Sequence, residues 1–145
     1  MFFIYGLICL CVVHAMITDV IYRRIYNYNS VIIILLSILL FYCRAELSLF
    51  VPFMVLIIGF LLFVLNFWGA GDAKFSFALT LSLPSDLMSI FLLLMSLSGG
   101  VIATFMLVFP RLKGKFVSVP YALSIGTGYF LTLIIGISND SIIII

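Results

Sequence analysis

Long apolar runs alternate with short polar interruptions along this chain, and their spacing predicts a bundle of membrane-spanning helices. The first run, about Met1 to Tyr22, is long enough to cross a bilayer, which takes about 20 residues. The polar segment Tyr22-Arg23-Arg24-Ile25-Tyr26-Asn27-Tyr28-Asn29 follows, and its arginines and tyrosines suit a headgroup interface. The second run, about Asn29 to Tyr42, is short, and flanking tyrosines and Arg44 complete it by snorkelling. A brief loop at Arg44 and Glu46 leads to the third, about Leu49 to Trp68, with Pro52 in its first turn, where a proline costs little. Trp68 reads as an interface anchor.

The fourth run, Phe75 to Leu83, is the weakest. Even counted from Asp72 it makes only about 18 Å of helix, against a hydrocarbon core of roughly 30 Å. Leu83-Pro84-Ser85-Asp86 ends it and caps the next helix. The fifth run, about Leu87 to Phe109, carries Gly99, Gly100 and Ala103. The sixth, about Val119 to Ile137, carries Ala122, Gly126 and Gly128. In both, the small residues are spaced for close helix packing. The closing Ser141 to Ile145 tail is too short to span.

Charge placement decides whether the weak fourth run counts. With six spans, Arg23, Arg24, Lys74, Arg111, Lys113 and Lys115 share one side, and Arg44, Glu46, Asp86 and Asp140 share the other. Six of the 7 basic residues then lie on the cytoplasmic side, as the positive-inside rule requires. Dropping the fourth run would put the loop from Arg111 to Lys115 outside. The expectation is therefore an all-α integral membrane protein, a single domain over residues 1–145 with six transmembrane helices and both termini extracytoplasmic.

Composition agrees. The chain is 66% hydrophobic and 8% charged, whereas a soluble domain carries about 25% charged residues. A soluble catalytic domain has no room, so any chemistry sits in the membrane or at its surface. The first run lacks a basic n-region and a cleavage site, and is expected to be retained. No basic stripe interleaves with aromatics, which argues against nucleic acid as a partner. Cys9, Cys11 and Cys43 form neither a CxxC pair nor a zinc constellation and read as buried small hydrophobes. His14 reads as a satisfied packing residue rather than a proton relay.

The chemistry concentrates in two acids. Asp72 follows Gly69-Ala70-Gly71 between two apolar runs, and Asp19 lies near the end of the first. An ionisable side chain in such a setting marks a functional site by default. The two glycines let the backbone bend and let another group approach closely. The six-span arrangement puts both acids at the cytoplasmic ends of their helices, and two carboxylates held together are the minimum equipment of an aspartyl protease.

Gly69-Ala70-Gly71-Asp72-Ala73-Lys74 resembles the GxGDxK signature of the type IV prepilin peptidases, membrane aspartyl proteases of the GxGD class. Asp19-Val20-Ile21-Tyr22-Arg23-Arg24-Ile25-Tyr26-Asn27 resembles that family's first motif, an aspartate followed by a basic pair, Ile, Pro and Asn. Ile21 departs from a frequent basic residue and Tyr26 from the usual proline. The six-helix layout and Val119-Pro120-Tyr121 also resemble the family, so the likeness covers essentially the whole chain. The short length resembles the small form serving tight-adherence (Flp-type) pili, without the zinc-binding insert or the methyltransferase activity of larger members. Thr18 before Asp19 argues against the presenilin-like proteases, which carry a Tyr-Asp motif.

This resemblance implies a leader peptidase of the cytoplasmic (inner) membrane, its site near the cytoplasmic face, with Asp19 and Asp72 holding a water and sharing a proton near neutral pH. It implies no cofactor and no metal; the partners are a prepilin, cut after a glycine, and the lipid bilayer. Gly69 and Gly71 would admit an extended peptide. Lys74 tunes the acids or positions substrate, or else is a snorkelling anchor; Arg23 and Arg24 read first as topology determinants, and Asn27 completes the first motif. The alternatives are an archaeal-type preflagellin peptidase, a small ion-coupled transporter using the same acids near the midplane, and a non-catalytic assembly scaffold.

Overall fold

The computed structural model describes residues 1–44, 48–108, 121–139 and 142. Arg111, Lys113, Lys115, Glu46 and Asp140, on which the expected orientation rests, lie outside the described residues, as do Val119 and Pro120. Within them the chain is all-helical: α1 (Phe2–Tyr22), α2 (Asn27–Arg44), α3 (Phe50–Val64), α4 (Ala70–Ser82), α5 (Ser85–Val108) and α6 (Tyr121–Ser138). Phe2–Tyr22, Ser85–Phe105 and Tyr121–Ser138 are long and apolar enough to cross a membrane; Asn27–Tyr42 and Phe50–Val64 are shorter apolar helices. The third element is shorter than its apolar run. Asn66, with φ 61, takes the left-handed conformation that Asn tolerates, and the N–H groups of Phe67 and Trp68 both turn back to the Leu62 carbonyl. The helix therefore stops at Val64 although Phe67 and Trp68 are apolar.

The weak fourth run begins earlier than its apolar residues suggest. Gly69 is extended, with φ −81 and ψ 150, and Asp72 in the first turn accepts its backbone N–H, so α4 starts at Ala70. At 13 residues it is about 20 Å long. Leu83, extended at ψ 150 ahead of Pro84, ends it, and the Pro84 carbonyl accepts the Leu87 N–H at the start of α5.

Helix α4 packs against α2, α3 and α6 and is the core of the molecule. Phe75, Ala78 and Leu79 are fully buried in it, against Ile8 and Val12 of α1, Ile33 and Leu40 of α2, Phe91 of α5 and Ile125 of α6. In a bilayer there is no hydrophobic drive between helices, so tight packing and internal hydrogen bonds must hold them together. Both occur here. A Cβ on Gly128 would lie 2.8 Å from the Met95 backbone, so only glycine lets α5 and α6 approach this closely. At the far end of α4 the Ser82 hydroxyl lies 2.8 Å from the Tyr129 hydroxyl, and Tyr5 donates to the Ser82 carbonyl at 3.3 Å.

The outer surface is apolar: Leu35 and Leu39, Ile57 and Phe60, Leu93, Leu97 and Val101, and Ile134 are all exposed. Large apolar side chains exposed around a buried polar network, and three described helices long and apolar enough to cross a bilayer, are what lipid as solvent demands, and the chain is a membrane protein. Individual side chains refine this picture. Gly100 points outward, and a Cβ added there would meet no described atom within 4 Å, so it takes no part in packing; Gly126 is closed over by Met16 and Val12. Trp68 is half-buried, its ring 6.2 Å from that of Tyr121. Cys9 and Cys11 are free and half-buried rather than buried. His14 is exposed on α1 and hydrogen-bonded, not packed in the core.

Candidate functional site

Asp19 reaches the interior because of its register on α1. The buried positions Tyr5, Ile8, Val12, Ala15 and Thr18 recur at helical spacing, and Asp19 closes the same stripe. The helix stops one turn later, where Arg23 adopts a left-handed conformation, φ 55, and its N–H returns to the Asp19 carbonyl. The chain then crosses to α2 through Arg24, Ile25 and Tyr26. Ile25 packs on Gly71, where an added Cβ would meet the Ile25 Cβ at 3.2 Å. This glycine is required for close approach: it lets the corner after Asp19 rest directly on the turn that carries Asp72.

Both carboxyl groups are buried, each residue 8% exposed. One Asp72 oxygen accepts the Gly69 N–H at 2.9 Å. One Asp19 oxygen accepts the Ala122 N–H at 3.0 Å, across 103 residues of sequence. Gly69 precedes α4 and Ala122 lies in the first turn of α6, so each acid is held at a helix N-terminus, where peptide dipoles favour negative charge. The two acids and Arg23 face the same polar space.

Asp19 and Asp72 line one polar cavity of about 350 Å³, together with Arg23, Arg24, Ile25, Tyr26, Asn27, Gly69 and Gly71. Seven of the eight residues singled out from sequence therefore share one cavity. The exception is Lys74, on the opposite side of the turn, where it borders an apolar groove between α3 and α4 with Leu56, Phe60, Leu61, Ala70 and Ala73. Its ammonium still reaches toward the cavity, donating to the Asn27 Oδ1 at a long 3.5 Å. Sequence reasoning missed Ile25 and Tyr26 as cavity walls, although both lie inside the first motif. It also missed the Ala122 N–H, for which the sequence carries no signal. Among the described residues no group of three or more His, Cys, Asp or Glu side chains converges as a metal site.

No curated protein and no solved structure matches the chain. The type IV leader peptidase family does, over residues 6–104, a stretch that holds both acids and both glycines of the cavity. With more than half of its length matched, and with the motif residues of α1 and α4 meeting at one polar cavity, the chain belongs to the type IV leader peptidase family.

Proposed function

We propose that the chain is an aspartyl endopeptidase in which Asp19 and Asp72 cut the leader from a type IV, Flp-like prepilin at the cytoplasmic boundary of the inner membrane. The observation that carries this reading is the shared cavity: two buried acids, from helices far apart in sequence, face one polar space. In each, the hydrogen bond from a helix N-terminus occupies one oxygen. The other is left for a water or a peptide.

In the mechanism, one carboxylate takes a proton from a water as the water oxygen attacks the scissile carbonyl carbon. The protonated partner donates a hydrogen bond to the carbonyl oxygen, stabilising the tetrahedral intermediate. Collapse breaks the C–N bond, and a proton passes to the leaving amine. Gly69 and Gly71 leave room for extended peptide, and Arg23 and Arg24 give the cavity a positive rim. Six crossings with both termini extracytoplasmic would bring this cavity to the cytoplasmic side; α4, too short to cross alone, is enclosed by its neighbours. Asp19 lies near the end of α1 and Asp72 in the first turn of α4, which favours a site at one end over the midplane ion site of a transporter.

The test is co-expression with a panel of prepilins, following leader removal by mass spectrometry. Wild type should release a leader ending in glycine, and Asp19→Asn and Asp72→Asn should not, although both remain inserted. Leader removal by either variant would exclude the mechanism. Ion-dependent uptake without cleavage would favour the transporter, and cleavage confined to preflagellins the archaeal-type activity.

A further inference from the structure

A second polar cluster lies on the outside of the bundle, joined to the cavity by one aromatic wall. His14 stands on α1 about 7–8 Å along the axis from Asp19, inside an otherwise apolar span. Both ring nitrogens have partners from α2: the Asn29 Nδ2 lies 3.2 Å from Nδ1, and the Tyr28 hydroxyl 3.4 Å from Nε2. An amide nitrogen only donates, so Nδ1 accepts, and the neutral ring carries its proton on Nε2 and donates it to the Tyr28 oxygen. The Tyr28 ring lies against the imidazole at 5.7 Å and stacks on Tyr26 at 5.3 Å, with 18° between their planes. Tyr26 in turn lines the acid cavity. Neither end of this chain of contacts is held by the core: His14, Tyr26 and Tyr28 are all exposed, and only Asn29 is buried.

An imidazole kept within an apolar span needs a reason beyond packing, and its partners indicate what that reason is. The corner between α1 and α2 is pinned on one side by Ile25 against Gly71. On the other, the stack on Tyr28 is the one ring contact of Tyr26 among the described residues, and His14 fixes Tyr28. We infer that His14 is a positioning residue of the site: through Tyr28 it holds Tyr26 as a wall of the cavity, and so governs how well peptide binds there. The inference rests on the leader-peptidase reading. His14 touches neither acid and takes no part in proton transfer.

The experiment combines a double-mutant cycle with a spectroscopic probe of the wall, using the full chain in micelles. His14→Ala should raise KM for leader removal about 10-fold while kcat stays within about 2-fold, the size of coupling expected for residues in contact. Tyr26→Ala should do the same, and the double variant should be no worse than either. His14→Gln, which keeps one acceptor and one donor, should restore binding. With 3-fluorotyrosine at position 26, the fluorine resonance should move in His14→Ala and return in His14→Gln. Additive losses, a kcat defect in place of the KM defect, or an unmoved resonance would overturn the proposal. If wild type cut no prepilin at all, the leader-peptidase reading would fail by itself, and the fluorine resonance would still decide whether His14 holds Tyr26.

Discussion

Helices α4 and α5 follow each other in the chain and divide the demands of a membrane enzyme between them. Helix α5 has 24 residues, is apolar almost throughout, and leaves Leu93, Leu97, Val101 and Phe105 exposed to lipid. Helix α4 has 13, is too short to cross alone, and buries Asp72, Ser76, Thr80 and Ser82. Each buried hydroxyl of α4 has a partner: Ser76 donates to the Met95 sulfur, Thr80 to the Ser76 carbonyl and Ser82 to the Leu79 carbonyl. The contrast explains why the least apolar helix is the central one. A helix that must present an acid and carry hydroxyls cannot face hydrocarbon, so longer, greasier helices surround it.

If this division holds, substitutions should rank by helix and by face. The largest effect belongs to the acid of α4: Asp72→Asn should lower leader removal by about 10³-fold or more with insertion unchanged, measured on purified protein against a fixed prepilin. Next comes the turn beneath it. Gly71→Val drives a branched side chain into Ile25, shifts the α1–α2 corner, and should cost about 10²-fold in kcat/KM, because small displacements at a reacting centre are that damaging. A smaller effect, on stability alone, is expected at the far end of α4. Ser82→Ala removes the hydroxyl that meets Tyr129 and should cost about 1 kcal/mol in denaturant unfolding while cleavage stays at the wild-type rate. On α5, Leu97→Ala faces lipid and should change stability by no more than about 0.5 kcal/mol. A loss at Leu97 as large as that at Ser82 would break the contrast, since the outer face of α5 would then be doing more than meeting lipid.

The helices were legible because lipid leaves so strong an imprint on composition: every apolar run became a helix. Their ends were less so. Val64 ends α3 through the left-handed Asn66, and α4 begins at Ala70 through an N–H accepted by Asp72; both are local hydrogen-bond choices that hydropathy does not register. That Asp19 and Asp72 stand out was legible because carboxylates are rare in an apolar chain, and Gly69 and Gly71 because they sit just before Asp72; the structure places all four on one cavity. His14 was visible but misread as a packing residue. Its partners Tyr28 and Asn29 come from the next helix, and only the turn at Arg23 brings them alongside.

The donor to Asp19 has a consequence for genetics. The group that aims this acid is the amide of residue 122, which every amino acid except proline possesses. On the proposed mechanism, a saturation screen scored on leader removal would recover Asp19 at once and pass over position 122 for nearly every side chain small enough to fit. Proline is the informative allele there. The first turn of a helix accommodates it, so Ala122→Pro should leave α6 formed, but it replaces the N–H with a ring carbon facing the Asp19 carboxylate and should silence the peptidase.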